Sequence, residues 1–262
     1  MQESSPILNI SNGKVLVHTE QFDNGIVAVP LKKELPEELE YTYLFKVDDR
    51  EYFLWNEELS EDSIPEGYSY IEERSIRKES KGPCEEVFAV TTAKHLSDWY
   101  RDTCFCGRCG TKMVPHDKER AMSCPSCGYI VYPRIMPAVI VGVKNGDKLL
   151  LTKYRTGFAH NALIAGFTEI GETAEETVMR EVMEEAGIKV KNIHYYKSQP
   201  WGTANDLLLG FYCEVDGDDT ITMDRHELKY AEWVQREEIV LQPGNFSLTN
   251  EMMRRFKEGY EV

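Results

Sequence analysis

Between Gly166 and Ile188 the chain reads GFTEIGETAEETVMREVMEEAGI. Its glutamates stand at spacings that suit one local structure, a loop running into a helix with carboxylates on one face. Thr173 opens a run free of Pro and Gly that lasts until Gly187. A Thr followed three residues later by a glutamate, here Glu176, is the pattern in which a cap side chain and the backbone satisfy one another. Acidic residues crowd the first turn, where the helix dipole favours them. Gly187 stands where a helix stops in a left-handed turn. These signals predict a helix over Ala174–Ala186. At about 100° per residue, Glu184 falls about 60° to one side of Glu181 and Glu185 about 40° to the other. Val178, Met179, Val182 and Ala186 fill the adjoining arc and are expected to face a core. Arg180 lies beside the acidic face, within reach of a carboxylate such as Glu172. Three like charges on one face repel. A hard divalent cation held by oxygen, Mg²⁺ or Mn²⁺ rather than Zn²⁺, relieves that repulsion.

The offsets of Gly166, Glu172, Arg180, Glu181, Val182, Glu184, Glu185, Gly187 and Ile188 resemble an unbroken Nudix box. That box is the signature of hydrolases that cleave a nucleoside diphosphate linked to another group. The resemblance implies that Glu181, Glu184 and Glu185 bind the catalytic metals. It implies that Glu172 and Arg180 brace the loop and helix. It also implies a mixed α/β fold, an α/β/α sandwich.

A second motif precedes the first. Cys106-x-x-Cys109 and Cys124-x-x-Cys127 are each followed by a glycine, Gly110 and Gly128. Gly permits the tight turn that aims two thiolates at one ion, and four thiolates close a tetrahedral shell with no open position. A structural Zn²⁺ site is expected, and in so small a unit the metal supplies much of the folding energy. Cys84, Cys104 and Cys213 are read as incidental thiols. His116 is placed in an exposed turn and not among the ligands.

The chain has 262 residues and a formal net charge of −15, which argues against a large nonspecific nucleic-acid surface. It does not argue against a phosphate substrate, because bound metal inverts the local field. The N-terminus lacks the basic start and apolar stretch of a secretory signal. No apolar run approaches the roughly 20 residues of a membrane span. A cytoplasmic protein is therefore expected, with no membrane partner. Three regions are expected: an N-terminal α+β domain over residues 1–101, a zinc ribbon over 102–133, and a hydrolase domain over 134–262. In the first, a hairpin is predicted around Val47 to Arg50, a short strand over Ile26 to Val29, and a helix over Thr92 to Arg101. In the last, Val139 to Val143 and Leu149 to Lys153 read as a hairpin, and Val190 to Lys197 and Asp206 to Val215 as strands. Asn245 to Lys257 reads as a closing helix capped by Asn245 or Ser247.

A zinc ribbon followed directly by a Nudix segment, with Ser198-Gln199-Pro200-Trp201 ten residues after the box, resembles the NADH pyrophosphatase family. Its members are also known as NAD-capped RNA hydrolases. The resemblance runs from about Leu96 to the C-terminus and includes FCGRCG, AMSCPSCG, YPRIMPAVIV and AGFTEIGET. It implies Ala165, through its carbonyl, and Glu227 as further ligands of the catalytic Mg²⁺ or Mn²⁺. It implies substrate contacts at Glu119, Tyr132, Gln199, Pro200 and Trp201, with Phe167 placed to stack on a base. It also implies a homodimer.

One departure stands out. Where the family continues with two prolines, an aromatic residue and a serine, this chain has Gly202-Thr203-Ala204-Asn205-Asp206. Asp206 puts a carboxylate near an anionic substrate where the family has a hydroxyl. The expected reaction is hydrolysis of NAD(H) to NMN(H) and AMP, with NAD-capped RNA as a further substrate. Either Glu184 or Glu227 could serve as base. The altered loop supports an alternative substrate, ADP-ribose or another nucleoside diphosphate derivative. A noncatalytic nucleotide sensor is the alternative of another class.

Overall fold

The computed structural model describes residues 1–79, 84–156, 160–244 and 246–260. It divides into two compact units, Met1–Arg134 with Trp201–Asn205, and Ile135–Pro200 with Asp206–Val262. Among the described residues no helix is long and apolar enough to cross a membrane.

The first unit opens with strands β1 (Ile7–Ser11) and β2 (Lys14–His18), followed by helix α1 (Thr19–Asp23). Asn12 and Gly13, at φ 50° and 77°, make the tight turn between the strands. Strands β3 (Thr42–Val47), β4 (Arg50–Trp55) and β5 (Tyr68–Glu72) complete a sheet of order β3-β4-β1-β2-β5. The predicted hairpin is β3–β4, closed by the pair Val47–Arg50. Ile7, Leu16, Leu35, Phe53 and Leu59 form one buried cluster against this sheet.

Helices α2 (Glu73–Glu79) and α3 (Cys84–Asp102) follow. The helix expected over Thr92 to Arg101 begins eight positions earlier, because Val87 and Val90 continue its apolar face toward the N-terminus and are buried. The expected strand over Ile26 to Val29 is not formed. Val27 and Val29 are buried, yet the segment's link to β2 is the His18 N–H donating to the Ala28 carbonyl at 2.9 Å. The Asn24-Gly25 turn before it and Pro30 after it leave no room for a ladder.

Short strands β6 (Val114–Pro115), β7 (Met122–Ser123) and β8 (Ile130–Val131) form a three-stranded antiparallel sheet in the cysteine-rich segment. Its core is small: Met113, Met122, Cys106 and Cys124 pack with Trp99 of α3.

The second unit contains β9 (Met136–Asn145), β10 (Lys148–Tyr154), β11 (Ile164–Phe167), helix α4 (Ala174–Ala186), β12 (Val190–Trp201), β13 (Asp206–Val215), β14 (Leu228–Gln235) and helix α5 (Leu248–Lys257). Trp201, at the end of β12, belongs with the first unit. The sheet has the order β12-β13-β9-β10-β14, with β11 paired to β9. Strand β9 lies inside the sheet and pairs in parallel with β13 from Asp206↔Met136 to Glu214↔Lys144. Its continuous apolar run from Ala138 to Val143 is what a strand covered on both faces requires. On one face Val178, Val182 and Ala186 of α4 pack on Val139, Val141, Leu150, Phe211 and Cys213. Alternation turns Tyr212 to the other face, where its hydroxyl donates to the Met252 carbonyl of α5 at 2.7 Å. The unit is an α/β/α sandwich.

Ser247 caps α5 through its side chain, which accepts from the Asn250 amide. The rival cap, Asn245, lies outside the described residues. Gly142 is paired with Tyr212, and a Cβ there would lie 2.6 Å from the ring. Gly142→Ala is therefore expected to cost about 1–3 kcal/mol of stability by overpacking. Chemical denaturation measures this, and an unchanged midpoint contradicts the packing described.

Candidate active site

Helix α4 begins and ends as its sequence dictates. The Thr173 hydroxyl accepts from the Glu176 amide at 3.2 Å, and the Glu176 carboxylate accepts from the Thr173 amide at 2.8 Å. At the other end Gly187 adopts φ 71°. The loop before the helix is fixed by one ion pair. Arg180 Nε and Nη2 donate to Glu172 Oε1 and Oε2 at 2.6 and 2.9 Å. Thr177 Oγ1 and the Glu169 amide also donate to Glu172 Oε2. The Arg180 guanidinium, with these other donors, holds the Glu172 carboxyl down at about 2. Arg180 Nη2 reaches the Phe167 carbonyl at 2.8 Å, which ties β11 to the helix. Its Nη1 donates to Glu181 at 2.7 Å and to Glu184 at 3.0 Å.

The three glutamates differ in environment. Glu184 is largely exposed. Glu181 is mostly covered, and burial raises its pKa. Glu185 is only 2% exposed. Burial, reinforced by the charges of Glu181 and Glu227, pushes its pKa up to about 8, against the pull of the Ala165 amide and the Tyr154 hydroxyl. Glu185 Oε2 is buried with no hydrogen-bond partner among the described residues.

The buried arc of the helix thus runs through Thr177, Val178, Val182, Glu185 and Ala186. Met179, expected in that arc, is 44% exposed. It lies about 100° beyond Val178, on the side away from Glu185.

Strand β11 brings the backbone to the carboxylates. At Gly166 a Cβ would lie 2.0 Å from Glu181 Cδ, so the position admits only glycine while Glu181 keeps this rotamer. Ala165 presents its amide to Glu185. Within one strand residue the amide and carbonyl point to the same side, so the Ala165 carbonyl faces the cluster too. Glu227, exposed at the start of β14, is close enough to raise the pKa values of Glu181 and Glu185. The structure therefore gathers Ala165, Gly166, Glu172, Arg180, Glu181, Glu184, Glu185 and Glu227 in the second unit. Two neighbours were not among the sequence candidates. Thr177 is buried and braces Glu172, and Tyr154 lies against Glu185.

The orphaned Glu185 oxygen, its raised pKa and the surrounding carboxylates fit a hard divalent cation. The carboxylates remain more widely spaced than the thiolates described next, with Arg180 between Glu181 and Glu184.

Four sulfur atoms, those of Cys106, Cys109, Cys124 and Cys127, lie within 4.8 Å of one another. Three Sγ–Sγ separations are 3.5–3.6 Å. These match the edge of about 3.8 Å set by Zn–S bonds of about 2.3 Å in a tetrahedron. Gly110 and Gly128, at φ 74° and 69°, close the two turns. Cys84 and Cys104 are exposed and Cys213 is buried in the core under α4. His116 Nδ1 faces the amides of Lys118 and Glu119 within its own turn.

The remaining sequence candidates are divided between the two units. Tyr132 donates to Glu119 at 2.8 Å, so these two contact each other in the first unit. Phe167 is 51% exposed, its ring open for stacking. Gln199 uses both ends of its amide on the segment before α5, donating to the Phe246 carbonyl and accepting from the Leu248 amide. Pro200 is exposed. Trp201 lies under the Arg77 guanidinium, 4.8 Å from its ring centroid. In the same turn Gly202 passes against the Thr91 carbonyl, where a Cβ would lie at 2.2 Å, and Thr203 donates to the buried Glu73. Asp206 is 8% exposed, and its Oδ1 has no partner among the described residues.

The NADH pyrophosphatase zinc ribbon domain family matches residues 101–132, and the NUDIX domain family matches residues 134–256. This chain joins a zinc ribbon to a NUDIX domain. It is 44% identical over 151 residues to the NAD-capped RNA hydrolase NudC of Shigella flexneri. It is 43% identical over 151 residues to the protein of that name from Escherichia coli O9:H4 (strain HS). Each match spans 56% of this chain and 58% of the relative, so the chain covers little more than half the length of these relatives. Among solved structures, a NUDIX hydrolase from Nitrosomonas europaea superposes with a TM-score of 0.51 at 23% identity. That superposition covers 59% of this chain and 90% of the other, and it shows a shared NUDIX fold.

Two outcomes are expected. Cys127→Ser leaves an incomplete thiolate shell, so bound zinc, measured by elemental analysis, falls well below that of the wild type. Retained stoichiometric zinc contradicts the site. Burial raises Asp206 from its ordinary value to about 6. The folded state then binds more protons than the unfolded one between about pH 4 and 6, and stability falls as pH rises through that range. Asp206→Asn removes this penalty. The variant melts above the wild type at pH 8, and the difference disappears near pH 4. An equal difference at both pH values contradicts the assignment.

Proposed function

We propose that the chain is a divalent-metal-dependent pyrophosphohydrolase that cleaves NAD(H) to NMN(H) and AMP, with NAD-capped RNA as a further substrate. The observation that carries this reading is the buried Glu185 carboxylate, with one oxygen orphaned, beside Glu181 and Glu227 in an intact NUDIX pattern. A buried carboxylate flanked by like charges is costly without a cation. Glu181, Glu184, Glu185, Glu227 and the Ala165 carbonyl are the groups that would hold Mg²⁺ or Mn²⁺. When bound, such ions supply Lewis acidity, polarising the phosphoryl oxygens and lowering the pKa of water.

The residues themselves have distinct tasks. Arg180 and Glu172 hold the loop and helix together and are placed to keep the carboxylates in register. Glu184 and Glu227 are exposed and can each take a proton from an attacking water. The water oxygen forms a bond to one phosphorus, and the bond from that phosphorus to the bridging oxygen breaks. The electron pair stays on the departing phosphate. Phe167, exposed at the end of β11, is placed to stack on a base. The structural Zn²⁺ belongs to the four-cysteine cluster. By the same resemblance we place the protein in the cytoplasm as a homodimer, with functional parts at residues 1–101, 102–133 and 134–262.

A second reading, an ADP-ribose or other nucleoside diphosphate hydrolase, is favoured by the turn at 201–205. There Trp201 is covered by Arg77 and Gln199 is engaged elsewhere, and the family's proline-framed loop is absent.

The test is turnover of NADH, NAD⁺, ADP-ribose and diadenosine compounds with Mg²⁺ or Mn²⁺, products separated by chromatography. The first reading expects the highest kcat/KM on NADH or NAD⁺, and the second on ADP-ribose. Glu185→Gln is expected to lose at least about 100-fold, since even partners behind a metal ligand are worth 10–100-fold. Loss of a general base at Glu184→Gln costs about 10²–10⁴-fold. Near-normal turnover in both variants overturns the catalytic assignment. No turnover by the wild type on any substrate supports a noncatalytic nucleotide-binding module.

A further inference from the structure

Along β10, Leu150 and Thr152 are fully buried on the face that packs under α4. The period of two carries that face to Tyr154, the last residue of the strand. There the ladder with β14 is irregular. Thr152 pairs with Ala231 and Lys153 with Tyr230, but Tyr154 pairs with Leu228, which leaves Lys229 as an extra residue. A bulge of this kind bends the strand and re-aims its side chains. Immediately beyond it the Arg155 amide donates to the Glu227 carbonyl at 3.0 Å. Alternation along β10 therefore brings Tyr154 to Glu185, and the bulge in β14 shifts the residues on its side of the ladder so that Glu227 follows at Arg155.

The Tyr154 hydroxyl donates to Glu185 Oε1 at 3.4 Å, while Oε2 of the same carboxylate is buried without a partner. A carboxylate has two equivalent oxygens and turns easily about its last bond. A donor on one oxygen distinguishes them.

We propose that Tyr154 is a positioning residue for Glu185. By donating to Oε1 it leaves Oε2 as the oxygen presented to a divalent cation. The proposal rests on the reading of Glu185 as a cation ligand. Tyr154→Phe keeps the ring and its packing and removes the donor alone. Partners that orient a metal ligand are worth about 10–100-fold in metal affinity.

The experiment is a Mn²⁺ titration of the full-length, zinc-loaded chain without substrate, following the paramagnetic resonance signal of free Mn²⁺. Wild type, Tyr154→Phe and Glu185→Gln are compared, with the melting temperature of each metal-free protein as the check on folding. Tyr154→Phe is expected to bind Mn²⁺ about tenfold more weakly than wild type with an unchanged melting temperature. Should that variant not fold, Tyr154→Met, which also lacks a donor and adapts its packing, takes its place. If Glu185→Gln weakens binding and the Tyr154 variant binds within about twofold of wild type, the positioning role alone is overturned. If the wild type binds no Mn²⁺, or Glu185→Gln binds as the wild type does, the cation site and the positioning role fall together.

Discussion

The arrangement of the site depends on one carboxylate placed where a core residue belongs. Glu185 lies in the arc of α4 that faces the sheet, beside Val178 and Val182. An ionised group there pays a desolvation cost that neighbouring carboxylates increase. The Tyr154 hydroxyl and the Ala165 amide offset part of that cost, and a cation at the orphaned oxygen would offset more. The rigidity of the packed helix is what makes the position useful. A carboxylate on an exposed face would turn away from its neighbours, whereas this one is held by Val178, Val182 and Ala186 below it.

Arg180 does a complementary task from the exposed side. It anchors Glu172 with two hydrogen bonds, touches the Phe167 carbonyl and bridges Glu181 and Glu184. Loop, edge strand and helix are thereby joined through a single planar cation, a geometry that lysine could not reproduce. Gly166 completes the joint, because any side chain there would occupy the space of the Glu181 carboxylate.

The cysteine-rich segment solves a different problem. Its three strands are two residues each and its core holds few side chains, so burial alone stabilises it weakly. The four converging thiolates supply the missing cross-link once a metal is bound. The turn at 201–205 is likewise held by specific contacts, with Arg77 over Trp201, Thr203 on Glu73 and Gly202 against Thr91. Nothing in its composition announced them, because each partner lies more than a hundred residues away in sequence.

The sequence by itself determined the features that depend on local rules. The limits of α4, its Thr173 cap and Gly187 stop, the β3–β4 and β9–β10 hairpins and the paired cysteine turns all follow from short-range backbone and side-chain chemistry. The Glu172–Arg180 pair was legible for the same reason. Local rules overreached at Ile26 to Val29, where a short apolar run is hemmed in by the Asn24-Gly25 turn and Pro30, and at Met179, which the apolar arc included but the fold leaves exposed. Tertiary structure alone decided the rest. It separated the glutamates of one helix face into the exposed Glu184, the covered Glu181 and the buried Glu185. It brought Tyr154 to them along β10 and Glu227 beside a bulge in β14, whose Leu228 pairs with Tyr154 across 74 residues of sequence. The physical reason is that capping and turning are short-range interactions, whereas desolvation depends on what the rest of the fold lays over a residue.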